Sequence, residues 1–182
     1  MIMIDDSGIK AGAASEATID KALGCLDIAL KQKLPCVHLV ESAGVDLPNY
    51  SVKLWSKFGS VFYKKAKLSA AGIPVIAILH GFSTAGGAYQ IGMSDYVIGV
   101  KGNGMAALAG SALLKAATGE NATNSDIGGV EMHSVVTGSV EYLVNDDAES
   151  IVTVRKLIDQ LNWNENDAQK RNDERRLYGI VY

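Results

Sequence analysis

Positive charge is in short supply in this sequence: 17 lysines and arginines face 20 aspartates and glutamates, for a formal charge of −3. A balance of that sign excludes the broad positive field on which binders of nucleic acid or anionic membrane rely, so a small-molecule substrate is the expectation. Long hydrophobic runs are missing too. No stretch reaches the roughly 18 apolar residues of a membrane span, and residues 1–10 lack the charged and apolar blocks of a secretory leader. The expected compartment is the cytoplasm, or the mitochondrial matrix in a eukaryote. Cysteine is limited to Cys25 and Cys36, in an apolar periodic segment and an apolar run, with neither metal nor disulfide spacing. Both read as buried thiols of a reducing compartment. Proline occurs three times against 19 glycines, a bias toward tight turns and close backbone approach. What is abundant is apolar: 48% hydrophobic content in 182 residues supplies one substantial core and a single globular domain.

Periodicity divides the chain into alternating strands and helices. Residues 1–4 are a short apolar run ending in Asp5, Asp6, Ser7 and Gly8, as a strand entering a turn does. Ile19, Leu23, Leu26 and Leu30 recur at helical spacing with Ser15 placed to cap, which predicts a helix over 15–32. Residues 35–40 form a β-prone run that ends in a loop of Glu41, Ser42, Ala43 and Gly44. Trp55, Phe58, Phe62 and Ala66 step by three and four, predicting a second helix over 52–71 that Gly72 and Pro74 stop. Residues 75–79 are continuously apolar between Pro74 and Gly81, the pattern of a strand buried on both faces, and 96–100 repeat it after a short helical stretch entered at 84–89. Such alternation predicts an α/β domain with parallel strands and right-handed crossovers.

The remainder is less regular. Residues 108–118 read as a helix, 125–129 as a turn and 140–144 as a short strand. An amphipathic helix is predicted over 146–161, with Asp146 and Glu149 spaced as a capping box and Ile151, Val154, Ile158 and Leu161 as its apolar stripe. Residues 162–176 are polar and carry both charges, as a solvated linker does, so the domain is expected to span 1–161. Residues 177–182 turn apolar again, as though a second domain began there.

Two small-residue loops carry the candidate chemistry. TAGGAY, Thr84 to Tyr89, sets Gly86 and Gly87 between a buried strand and a helix start, where unpaired N–H groups and the helix dipole point outward together. That geometry binds developing negative charge, and glycine leaves the amides open to a substrate carbonyl. Packing or a turn is the competing account of such a pair. ESAG, Glu41 to Gly44, follows an earlier strand, and the carboxyl ends of parallel strands converge on one edge, so the loops are expected to face each other. A tight turn is the plainer account of Ala43 and Gly44. His38, His80 and His133 have no spacing that unites them as metal ligands and read as satisfied core or turn histidines. Glu120 and Asp126 are not placed as an acid and base pair.

The run GIPVIAILHGFSTAGGAYQIGMSDYVIGV, with LVESAGVDLP before it and LLKAATGE and GGVEMH after it, resembles the carboxyltransferase β subunits of propionyl-, methylcrotonyl- and related biotin-dependent acyl-CoA carboxylases. The resemblance covers nearly the whole chain, with the motifs in order and spacing. It implies a crotonase-like (ClpP/crotonase) α/β domain of repeated strand-strand-helix units. It further implies transfer of CO2 from carboxybiotin to the α-carbon of an acyl-CoA through an enolate held by backbone amides, with no obligatory side-chain base and no metal. By position, Gly86 and Gly87 match the family's oxyanion pair and Ala43 with Gly44 its other loop. Ala85, Ala88, Gly110 and Lys115 are the substrate-binding positions it implies, Lys115 as a contact to CoA or biotin unless it is simply a surface lysine at a helix end. The implied partners are a biotin carboxylase or biotin carrier subunit and either further copies of the chain or a carboxy-terminal half.

Two departures stand out. The family's GGPP is replaced by Ala109, Gly110, Ser111 and Ala112, so the resemblance does not carry over the shape of the acyl pocket. Family members are far longer, so the chain is expected to begin after their first elements and to supply one of the two oxyanion holes; alone it should at best bind CoA thioesters. A biotin-dependent acyl-CoA decarboxylase subunit and a noncatalytic CoA-binding or assembly module of the same fold are the alternatives. An enoyl-CoA hydratase is disfavoured, because the helix after TAGGAY offers Gln90 and Ser94 where that enzyme needs carboxylates.

Overall fold

A computed structural model describes residues 1–161 and 163. The expectations of a linker over 162–176 and of a new segment at 177–182 lie, Trp163 apart, outside the described residues. Strand β1 (Ile2–Ile4) leads into helix α1 (Glu16–Gln32), β2 (Cys36–Val40), α2 (Val52–Ala70) and β3 (Val75–Leu79). Two strand-strand-helix units follow: β3 with β4 (Phe82–Thr84) and α3 (Gly86–Gly92), then β5 (Tyr96–Val100) with β6 (Met105–Ala107) and α4 (Ser111–Thr118). Helices α5 (Asn124–Gly128) and α6 (Val130–Met132), a π turn at His133–Thr137, β7 (Tyr142–Val144) and α7 (Asp147–Gln160) complete the described chain.

Strands β1-β2-β3-β5-β7 form one sheet in that order, each pair parallel, while β4 and β6 pair parallel in a small second sheet. The parallel arrangement follows from the helices between successive strands. All five residues of β3 are fully buried, because each face has its own cover. Ile76 and Ile78 join Val154 and Leu157 of α7 on one side, and Ala77 and Leu79 join Ile91 of α3 and Ala106 of β6 on the other. A third cluster sets Ile19 and Leu26 of α1 against Phe58, Val61 and Leu68 of α2 and Val75.

Local signals placed most helix ends. The Ser15 side chain accepts from Thr18 N–H and that of Asp146 from Glu149 N–H, as predicted. The Glu149 carboxylate reaches past the cap to Asn145 N–H at 2.7 Å, so the reciprocal half of a capping box is displaced by one residue. Three readings differ. Helix α4 begins at Ser111 rather than 108, because 105–107 are drawn into the small sheet. The turn at 125–129 is a short helix closed by a true capping box between Thr123 and Asp126. Cys25 is only half buried, whereas Cys36 is fully buried.

Candidate functional site

The carboxyl ends of β2 and β3 lie side by side, and β4, inserted between β3 and the glycine corner, carries that corner to the loop after β2, where hydrogen bonds lock the two together. Thr84 N–H donates to Ser42 O at 2.9 Å, and Ser83 Oγ, buried at the centre of β4, donates to Val40 O at 3.3 Å. Ala85 then takes a φ of 50° and ψ of −117°, a conformation costing an L-residue about 1–3 kcal/mol. It is held there by its own N–H, shared between Ala107 O at 3.1 Å and Leu108 O at 3.2 Å. The bend opens α3, whose first-turn amides at Gly86, Gly87 and Ala88 find no acceptor among the described residues.

The glycines here also serve packing. A Cβ at Gly86 would stand 2.5 Å from Phe58 Cε1, and one at Gly87 would overlap the carbonyl oxygen of Ser42. Gly44, with φ 88°, brings its Cα side within 3.2 Å of Gly86 N as measured from an added Cβ. Packing, the plainer account of the pair, therefore applies at a corner whose amides are also unengaged among the described residues.

In the second loop the amides are already engaged. Ala43 N–H donates to Ala11 O at 3.0 Å, and Gly44 N–H to Ser42 Oγ at 3.1 Å, while Ser42 Oγ donates to Gly12 O at 2.8 Å. Gly44 O accepts from Ala14 N–H at 2.7 Å. The segment 10–14 thus lies over the loop, and Lys10 pins it from outside through Asp46, 3.0 Å away.

Beside the corner lies a cavity of about 550 Å³, lined by Ala43, Ala85 and Gly86 and walled by Trp55, Phe58, Phe62 and Tyr89 with Leu47 and Leu108. Phe58 and Phe62 meet edge to face with centroids 5.0 Å apart, and Tyr89 stands 5.6 Å from Phe62. The sequence pattern assigned the α2 aromatics to a core stripe. Their spacing of three and four puts them on one face of α2, and the fold sets Tyr89 of TAGGAY against it.

Gly110 and Lys115 are not brought to this cavity. Gly110 caps α4, where Ser111 N–H donates to Asn124 Oδ1 at 2.8 Å. Lys115 is exposed, without a side-chain partner among the described residues, and lines a separate hollow of about 390 Å³ with Ser111, Asn121, Thr123 and Asp126. Ala88 borders neither cavity.

Behind the corner is a buried polar cluster. Lys65 of α2 is fully buried, with Nζ 3.1 Å from His38 Nδ1 and donating to Gln90 O at 3.4 Å. His38 Nε2 stands 3.2 Å from Asp5 Oδ2, which also accepts from Glu41 N–H at 3.4 Å. Burial lowers the Lys65 pKa to about 8, against the pull of Cys36 and Asp5. Burial and the nearby Lys65 lower that of His38 despite its bond to Asp5, so the imidazole is neutral at pH 7. Its Nε2–H then donates to Asp5 and its Nδ1 accepts from the ammonium. A cavity of about 280 Å³ adjoins the cluster, bordered by Asp5, His38, Ser42, Gly87 and Gln90.

The other histidines differ from one another. His133 is satisfied by Ala106 O at 2.7 Å and Thr137 Oγ1 at 3.1 Å. His80 is not the satisfied histidine expected, for its buried Nε2 has no partner among the described residues. Nor do the described residues contain a cluster that could hold a metal. Asp126 spends its carboxylate on Thr123.

Known proteins show the family of the chain. Residues 1–178 match the family described as carboxyl transferase domain. A Mycobacterium tuberculosis protein described as a probable biotin-dependent acyl-coenzyme A carboxylase beta2 subunit is 41% identical over 163 residues, covering 90% of this chain and 31% of its own length. The solved beta subunit of P. aeruginosa geranyl-CoA carboxylase superposes with a TM-score of 0.81 at 39% identity, over 92% of this chain and 31% of that one. A transcarboxylase 12S solved with hydrolyzed methylmalonyl-coenzyme A superposes with a TM-score of 0.78 at 26% identity, over 86% of this chain and 30% of that one. The chain therefore spans about a third of the length of the relatives it matches.

Proposed function

The chain belongs to the carboxyl transferase domain family, and from that membership we propose that it is the carboxyltransferase component of a biotin-dependent acyl-CoA carboxylase, moving CO2 from carboxybiotin to the α-carbon of an acyl-CoA. The observation that carries the proposal is the meeting of an unengaged amide and an apolar cavity at one residue: Gly86 lines the 550 Å³ space and its N–H has no acceptor among the described residues. A thioester seated with its acyl group among Trp55, Phe58, Phe62 and Tyr89 would direct its carbonyl oxygen to Gly86 and its neighbours. As the α-proton departs, negative charge collects on that oxygen, and amides fixed beforehand by the fold stabilise it without reorganising.

The residues present fit this chemistry in what they hold open as well as in what they donate. Among the described residues the wall beside Gly86 carries no carboxylate or histidine, which fits a reaction in which biotin itself accepts the proton. Biotin brought by a carrier subunit would supply the transferable CO2 and a ureido nitrogen to accept the α-proton, the N–CO2 and C–H bonds giving way to N–H and C–C bonds, while Gly86 and its neighbours hold the thioester oxygen. Exposed Trp55, Tyr89 and Leu108 at the cavity support a further domain or a second copy of the chain as its cover.

The test supplies the purified protein, with its native partner chains, with a carboxylated biotin carrier and propionyl-CoA or 3-methylcrotonyl-CoA. Label from the carrier is expected in the acyl product, and Gly86→Val should abolish it while the carrier still docks. Binding of neither thioester, or hydration of crotonyl-CoA in place of carboxylation, would overturn the reading.

A further inference from the structure

A fully buried lysine on the apolar stripe of a helix calls for an account, since desolvating an ammonium is costly and an aliphatic side chain of similar volume would fill the space. Lys65 stands in such a stripe with Leu54, Phe58, Val61 and Leu68. Its bonds run in two directions. One goes to the carbonyl of Gln90, three residues beyond Gly87 on α3, an oxygen also capped by Ser94 Oγ at 2.9 Å. The other goes to His38 on β2, and through its imidazole to Asp5 at the end of β1 and so to the Glu41 amide that opens the second loop. We propose that Lys65 is a positioning residue whose ammonium ties α3 to β2 from behind and thereby sets the spacing of the two loops at the candidate site.

Three observations support the tie. The loops touch at close quarters, with Thr84 N–H on Ser42 O at 2.9 Å and no room for a Cβ at Gly87, so a small movement of α3 along β2 changes the gap over Gly86. The chain of bonds has a single direction of donation, from Lys65 to His38 Nδ1 and from His38 Nε2 to Asp5, fixed by the neutrality of the imidazole. The cluster is not packed solid. Gln90 borders the adjoining 280 Å³ cavity, and its Oε1 is buried without a partner among the described residues, which leaves α3 space to shift when the tie weakens.

Loss of the Lys65 proton removes one donor and the positive charge, so the tie should slacken as pH rises through about 8. The groups facing Lys65 are His38 and Cys36 from β2, Asp5 just after β1 and the Gln90 carbonyl of α3. His38 is already neutral there, and burial raises the Cys36 thiol. A transition near pH 8 at the loops therefore belongs to Lys65 unless Cys36 titrates with it, which Cys36→Ala tests.

This inference rests on the reading of the Gly86 corner as the working site, and the experiment keeps the two apart. In the isotope-labelled full chain, the amide resonances of Gly44, Gly86 and Gly87 are followed from pH 6.5 to 9.5, together with Lys65 Nζ. Wild type and C36A should show one transition at all three glycines with the midpoint of Lys65. In K65M that transition should vanish and the Gly86 and Gly87 resonances should start from shifted positions, whereas K65R, still charged, should keep the wild-type positions without the transition. If K65M does not fold, the wild-type titration still decides, because glycine amides that stay still while Lys65 titrates overturn the proposal. Binding of propionyl-CoA, read from Trp55 fluorescence in W163F, is measured separately. Its absence at every pH would sink the proposed function and leave the amide titration as it was.

Discussion

The two loops at the candidate site are made of the same kinds of residue, follow β2 and β4 of two different sheets and touch each other, yet their amides have different fates. At the β4–α3 corner a helix begins, and its first-turn N–H groups cannot be satisfied from within; strained Ala85 holds them clear of the acceptors around it. In the β2 loop no helix begins. The Ala43 and Gly44 amides are taken by Ala11 O and Ser42 Oγ, and the loop becomes a rigid floor for its neighbour. A small-residue loop keeps its amides free only where secondary structure withholds partners from its backbone.

The largest expected effect concerns what lies behind both loops. Folded Lys65 has a pKa of about 8 against an ordinary 10.5. Between those values the unfolded chain holds the proton and the folded chain does not, so stability rises with pH across that window, by up to about 3 kcal/mol. Denaturant unfolding of wild type and Lys65→Met from pH 7.5 to 10.5 should show this rise in wild type alone. His38 acts at the acid end: with its folded pKa lowered, stability is fully present above about pH 6.5 and falls as pH drops through the folded value.

Next in size is Gly87→Ala, which drives a Cβ into the Ser42 carbonyl and should cost about 2–3 kcal/mol in unfolding free energy. Gly86→Ala meets only the edge of the Phe58 ring, and a smaller loss is expected because a side chain can yield where backbone cannot. Equal losses in the two variants would break the distinction between packing and donating roles within the pair. Ser42→Ala deprives Gly44 N–H of its acceptor and Gly12 O of its donor, at about 1–2 kcal/mol. Hydrogen exchange at Gly44 should quicken while that at Gly86 stays as fast as before. The smallest effect is expected at exposed Lys115, where Lys115→Ala should change stability by less than about 0.5 kcal/mol. Thioester affinity in the same variant shows whether its hollow belongs to the binding path.

Much of this architecture was legible residue by residue. Ser15 and Asp146 cap where their spacing says, the apolar runs at 75–79 and 96–100 are central strands, and the glycine pair falls at a helix start. Strands β4 and β6 escaped because three residues are too few to show a period. Lys65 escaped because a lysine among charged neighbours in KKAK looks solvated, although its place four residues after Val61 and three before Leu68 put it on the buried face. The aromatic wall was seen as residues but not as a wall, since only folding brings Tyr89 opposite Phe62.

By itself the sequence determined the alternation of strands and helices, the parallel sheet that follows from it and the corner where a helix starts on two glycines, because periodicity, capping and chain handedness act over a few residues. Which backbone amides remain open was decided only by tertiary structure. Ala11 lies far along the chain from Ala43 and reaches it only once β1 and β2 have paired, and a hydrogen-bond partner supplied across the fold leaves no local trace in the residues it satisfies.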